Sequence, residues 1–327
     1  MTETVNTKKN HAKKKAEKAP RTPITWRDIK KQKGLILLTV PFILYAFVFN
    51  YLPLAGWLMA FQEYKPKLGI LGSQFTENGG MKYFIKLFSD EIFLRVIRNT
   101  FCMGFINLIT GTVSSILLAI LLNEVRLKFA KKAVQTISYL PHFLSWVIVI
   151  GIARDALSPE TGIINQILVS IGILDAPINW LAYPQNFWGI VALVNIWKEV
   201  GFGSIIYLSA ITSINPDLYE AASIDGAGRL RKIMHITIPG LKPTIAILLL
   251  INLGNVLNQS FEIQYLLHND LVVRVSQTID IYILKYGISQ GNFSLGTAAG
   301  IFKSIVSIAL ITVGNIASKK LGEETLY

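Results

Sequence analysis

After a polar, lysine-rich beginning, the chain falls into long apolar runs separated by short polar ones. Six runs stand out, at about 35–61, 100–123, 134–153, 187–211, 244–267 and 296–317. A hydrocarbon core about 30 Å thick takes roughly 20 residues of helix, and a helix satisfies its own backbone groups where no water can. The pattern therefore predicts an all-α membrane protein of about six transmembrane helices. The membrane domain covers 34–318, with a tail at 1–33 and another at 319–327.

Composition agrees with that reading. Hydrophobic residues make up 52% of the 327 positions and charged residues 16%, against about 25% charged in soluble domains. The net charge of +12 would suggest nucleic acid on a soluble protein, but its distribution points elsewhere. Placing the N-terminus inside puts 1–34, 124–133, 212–242 and the C-terminus in the cytoplasm, and these segments hold most of the lysines and arginines, as the positive-inside rule requires. The tail with Lys13, Lys14 and Lys15 lacks the apolar content to fold alone and reads as a flexible cytoplasmic segment. The first apolar run is too long for a signal-peptide core and has no A-x-A cleavage pattern, so it reads as an uncleaved span kinked by Pro41 and Pro53. On the outer side, 155–185 contains the short apolar stretch Ile163 to Leu174, expected as an interfacial helix. Trp180, Tyr183 and Trp188 are expected as an aromatic belt at headgroup depth.

Several chemistries are disfavoured. Cys102 is the single cysteine, and His11, His142, His235 and His268 lack ligand-like spacing, so neither a disulfide nor a metal centre is expected. A phosphate-cradling G-x-x-x-x-G-K-[ST] is missing from the sequence. The nearest string, Gly296 to Ser304, lies in an apolar run and reads as close helix packing. G-x-S-x-G and H-E-x-x-H are missing too. The chain is expected to be no enzyme and to bind no cofactor.

Polar residues inside the apolar runs are costly unless they face protein or water. In the fifth run Asn252, Asn255, Asn258, Gln259 and Glu262 fall within one face of a helix at about 100° per residue, and are candidates for a pathway lining or for bonds between helices. Lys198 and Glu199 in the fourth run and Lys303 in the sixth are intramembrane charges. The lysines can attract an acidic solute, pair with Glu199 or Glu262, or snorkel to an interface. Trp197 can stack on a sugar ring or simply pack.

The inside segment 220–243 reads EAASIDGAGRLRKIMHITIPGLKP. Glu220, Ala221 and Ala222 favour a helix, Asp225 and Gly226 a turn, and Arg229 to Ile236 a second helix that Pro239 stops or kinks. Glu220, Ala221, Ala222, Asp225, Gly226 and Ala227, followed by Ile233, Ile236, Pro239 and Pro243, resemble the EAA loop of binding-protein-dependent ATP-binding cassette (ABC) importer permeases. Trp197 to Ser213 and Gly291 to Ser304 are similar to the larger membrane subunits of the carbohydrate branch.

The resemblance implies a type I ABC importer transmembrane domain in a bacterial cytoplasmic membrane, with 212–243 as the coupling loop and both termini cytoplasmic. It implies a second permease subunit, two ATPase subunits that use ATP and Mg, and an extracytoplasmic sugar-binding protein delivering oligosaccharides. Glu220, Ala221, Ala222, Asp225, Gly226, Ala227 and Pro239 would then dock the ATPase. Trp197, Lys198, Asn252, Asn255, Gln259, Glu262 and Lys303 would line the pathway. The rival is an ion-coupled secondary transporter in which Lys198, Glu199 and Glu262 relay protons.

Overall fold

In this computed structural model residues 30–258, 261–320 and 322 are described. Most of the basic tail and of the C-terminal tail, and Gln259, lie outside the described residues. Among the described residues all regular structure is helical apart from one isolated antiparallel bridge between Gln62 and Phe75. Five helices are long and apolar enough to cross a membrane, and a bent pair makes a sixth candidate. The all-α fold read from the apolar pattern is the fold observed.

Residues Met1–Ala55 and Gly56–Tyr327 form two units. The first candidate span, α1 (Lys33–Phe61), runs across that boundary. Pro41 lies in its α-helical part, which gives way to a π turn at Phe47–Tyr51 just ahead of Pro53. The second unit contains α2 (Lys82–Ser89), α3 (Glu91–Glu124), α4 (Lys128–Tyr139), α5 (Trp146–Leu157), α6 (Ile163–Ser170), α7 (Pro184–Thr212) and α8 (Pro216–Ile224). It continues with α9 (Arg229–Gly254), α10 (Phe261–Leu267), α11 (Ile279–Tyr282) and α12 (Phe293–Lys320).

Local chemistry sets the ends. Asp90 caps α3, its carboxylate accepting from Ile92 N at 2.9 Å, the usual way an orphan first-turn amide is satisfied. The helix starts well before the apolar run because its first turns carry Glu91, Arg95 and Arg98, which lower hydropathy without opposing helix formation. α7 begins on Pro184, where a missing N–H costs nothing.

Three expectations need correction. The run 134–153 is not one straight helix. α4 continues as a short 3-10 turn over Leu140–Phe143, Leu144 is extended, and α5 leaves at 107°. Pro141 removes an amide there, and Ser145 restarts the chain as N-cap of α5. The run 244–267 is broken as well. α9 ends at Gly254, Asn255 caps it, and α10 starts only at Phe261, so the single polar face expected from Asn252 to Glu262 does not exist. Asn255 contributes to the break, its Nδ2 donating to Ile251 O at 3.2 Å, as side chains of this type do at helix ends. Pro239, finally, neither stops nor breaks its helix. A π turn at Ile233–Thr237, closed by Ile238 N donating to Ile233 O, precedes it, and Pro239 sits where the next helical stretch begins.

α3 and α7 pack along each other, with Met103, Val149, Phe187 and Val191 buried in one cluster and Ala119, Leu122, Tyr207 and Leu241 in another. The backbones approach closely where glycine allows it: a Cβ on Gly201 would lie 2.0 Å from Ser138 O. Among the described residues several buried polar groups find partners, while Gln62 Oε1, Gln277 Nε2, Thr278 Oγ1 and Ser307 Oγ are buried without one. Asn99 Nδ2 donates to Arg274 O and Gln277 O at 3.0 and 3.1 Å, and Trp188 Nε1 to Val275 O at 2.9 Å. Asn165 accepts from Trp180 Nε1 at 3.0 Å and donates to Ser158 O and Ile178 O, and the stretch expected as an interfacial helix is helical only over Ile163–Ser170, shorter than its apolar run.

Candidate coupling loop and polar cavities

The EAA segment is a helical hairpin. Asn215 caps α8 by accepting from Asp217 N at 3.0 Å, and Pro216 occupies the first helical position. At the other end Asp225 N donates to Ala221 O and Ala227 N to Ala222 O, at 3.0 and 2.8 Å. Gly226 between them has φ +74°, a left-handed value that costs a side-chain-bearing residue about 1–2 kcal/mol. The chain reverses there and enters α9.

Two contacts inside the hairpin fix its angle: Lys232 Nζ donates to Ser223 Oγ at 2.6 Å, and Tyr219 Oη lies 3.0 Å from Thr237 Oγ1. Arg229 Nε stands 3.9 Å from Glu124 Oε2, at the end of α3. Glu220, Ala221, Asp225, Gly226 and Pro239 are exposed, Ala222 and Ala227 half-buried. Ile224 and Leu230 are 88% and 74% exposed, and Leu218 and Met234 are also bare. A rigid hairpin thus presents apolar and small residues together with an acid, a surface suited to another protein.

Further along the helices two cavities meet at Trp146, which lines both. One, of about 350 Å³, is bounded by Asn107, Ser115, Asn195, Glu199, Tyr207 and Asn252 among others. The second, of about 370 Å³, has Ser145, Lys198, Phe261, Glu262 and Tyr265 in its wall. Amides, hydroxyls and aromatic rings of this kind exchange hydrogen bonds and stacking contacts with hydroxyl-rich solutes.

Between the cavities lies a polar cluster built on the broken helix. Lys198 Nζ donates to His142 O at 2.6 Å, stands 3.5 Å from Glu199 Oε1 and 5.2 Å from the Trp146 ring centroid. Glu199 Oε2 is 2.8 Å from His142 Nδ1, and the imidazole stacks on Phe202 at 4.0 Å. The 198–199 pair therefore holds the break in place, since one of its charges satisfies a carbonyl there and the other orients the histidine.

The remaining candidates are scattered. Trp197 faces an apolar groove with Ile152, Ile190 and Leu193, on another side of α7 from Lys198. Lys303 Nζ pairs with Asp280 Oδ1 at 2.5 Å, linking α12 to α11, and is in neither cavity wall. Asn255 is exposed and bonded to its own helix, and Gln259 lies outside the described residues. Trp146 and Asp280 do not stand out in the sequence, and His142 does so only as a histidine without ligand-like spacing. Pro141 beside His142 was the available signal, because a proline inside an apolar run frees a carbonyl that needs a partner.

Comparison with known proteins carries this geometry to a family. Residues 111–323 match the family described as binding-protein-dependent transport system inner membrane component. The chain is 43% identical over 297 residues, 91% of either chain, to the polygalacturonan/rhamnogalacturonan transport system permease protein YteP of Bacillus subtilis (strain 168). It is 39% identical over 305 residues to protein LplB of the same organism, covering 93% of this chain and 94% of that one. A crystal structure of a bacterial alginate ABC transporter in complex with an alginate pentasaccharide-bound periplasmic protein contains a chain 40% identical to it, with a TM-score of 0.84 over 92% of this chain and 99% of that one. Such relatives leave no room for the ion-coupled rival. With its helical hairpin and five or six candidate spans, this chain belongs to the inner membrane components of binding-protein-dependent ABC importers, as a non-catalytic permease subunit.

Proposed function

We propose that the chain is one of two different permease subunits of an importer that moves fragments of acidic, uronate-containing polysaccharides into the bacterial cytoplasm. The exposed face of the 216–236 hairpin carries this reading. It would rest on one of two ATPase subunits, which use ATP and Mg, and the continuous α9 would transmit their closure to the spans. Both termini and the hairpin then lie in the cytoplasm, as the lysine and arginine distribution favours. An external binding protein delivers the sugar, which passes through the cavities around Trp146 by alternating access.

The acidic class is supported by the relatives, which are named for polygalacturonan and alginate transport. The test is uptake by proteoliposomes containing this chain, its partner permease and ATPases, with binding protein outside and ATP inside. Labelled oligogalacturonates or oligoalginates are expected to enter only with ATP and binding protein. Uptake of neutral malto-oligosaccharides in their place would overturn the acidic class. Uptake without an ATPase would overturn the mechanism.

A further inference from the structure

α9 and α12 run antiparallel: Gly254 meets Ile311 while Gly314 meets Leu250 and Leu253. Between them opens a groove of about 410 Å³ whose walls are almost entirely apolar, with Leu108, Ile245, Leu249, Leu253, Gly314 and Ala317 among its lining. On its walls α12 presents small residues to the leucine ridge of α9. A Cβ on Gly314 would already stand 2.6 Å from Leu253 Cδ2.

The groove has a basic end. Lys242 lines it, and so does Ser318, directly before Lys319 and Lys320, the last residues of α12. Because the helices are antiparallel, these three lysines lie towards the same end. All three are exposed, and among the described residues none is in an ion pair. From Lys242 to Leu253 the helix rises about 16 Å, the depth of one leaflet of a core about 30 Å thick. A surface apolar over one leaflet's depth and cationic where that leaflet ends matches a lipid with a negative headgroup.

We propose that this groove binds an anionic phospholipid of the cytoplasmic leaflet, one acyl chain lying along α9 and the phosphate held by Lys242, Lys319 and Lys320. The choice of leaflet rests on the orientation given under the proposed function; the site itself does not. Since α9 is continuous with the docking hairpin, the lipid braces the helix that transmits ATPase movement.

The test uses the intact transporter complex in nanodiscs of equal phosphatidylglycerol and phosphatidylcholine, with retained lipids counted by native mass spectrometry. The wild type is expected to retain phosphatidylglycerol preferentially. Lys242→Gln, Lys319→Gln and Lys320→Gln together should reduce that preference by roughly fivefold for each lysine removed. Ala317→Phe, which fills the groove and keeps the charges, should lower retention of both lipids. Equal retention of the two lipids by the wild type, or unchanged retention in both variants, overturns the site. Crosslinking of Ala317→Cys to the second permease subunit also overturns it, since protein would then cover the groove. Labelling Leu230→Cys in whole cells reads orientation separately: reaction from outside with lipid preference intact would retain the site and refute only its leaflet.

Discussion

Gly226 is the position where one residue type decides a local structure. Its φ of +74° makes the reversal between α8 and α9, yet nothing lies within 4 Å of where its Cβ would be. The cost of substitution is therefore conformational, not steric. Gly226→Ala should lower uptake by at most about fivefold to thirtyfold, the range that about 1–2 kcal/mol corresponds to. Gly226→Pro, whose ring holds φ near −65°, should abolish ATP-dependent uptake while leaving the amount of protein in the membrane fraction unchanged. Normal uptake in the proline variant would mean that the hairpin does not couple.

The pair formed by Lys303 and Asp280 belongs to the same scale. Both side chains are largely buried, 12% and 27% exposed, at a separation of 2.5 Å. Removing one partner leaves a charge uncompensated, at a cost of about 3–5 kcal/mol. Lys303→Met should lower the melting temperature of the purified complex markedly, and adding Asp280→Leu should restore most of it. Equal melting of the single and double variants would show that the two are not coupled. Lys303 was expected from the sequence as a pathway candidate because intramembrane charge draws attention. Its partner lies 23 positions away in the chain, and the fold brings the two together.

At the scale of elements, the close contact between α4 and α7 depends on Gly201. The obstacle to a Cβ there is the Ser138 carbonyl, which is backbone and cannot rotate aside. Gly201→Ala should force the helices apart, cost about 1–3 kcal/mol or more, and reduce the folded protein recovered in mild detergent. Gly189→Ala, in the same helix with nothing within 4 Å of its Cβ, is the control and should be recovered like the wild type. The broken helices carry the same lesson. Apolar runs mark where a span lies, but Leu144 and Asn255 leave helical backbone, and a lysine or an amide side chain then donates to a carbonyl beside the break. Lys198 serves His142 O in this way. Hydropathy averages over such breaks and cannot report them.

For the whole molecule, the proposed mechanism has work entering through the hairpin and not through an ion gradient. In the reconstituted complex, collapsing the proton and sodium gradients should leave sugar uptake within about twofold of the control, while omission of ATP should eliminate it. The opposite result would overturn coupling through the hairpin. In the proposed heterodimer the two cavities form half of a pathway, and the second subunit supplies the other wall. Their polar lining includes Glu199 and Asn252 in one and Lys198 and Glu262 in the other, four residues that stood out in the sequence as polar groups in apolar runs.

The amino-acid order by itself determined the helical membrane class, the number of apolar runs and the hairpin with its turn at Gly226. Those features are local or compositional: a span needs apolar length, and a left-handed turn needs glycine. Only the tertiary structure decided which intramembrane charges share a cavity and which are spoken for. Lys198 and Glu199 brace a broken helix beside Trp146, Trp197 turns to an apolar groove, and Lys303 joins Asp280. Burial makes each of those charges seek a partner, but the partner's place in the chain follows from how the helices pack.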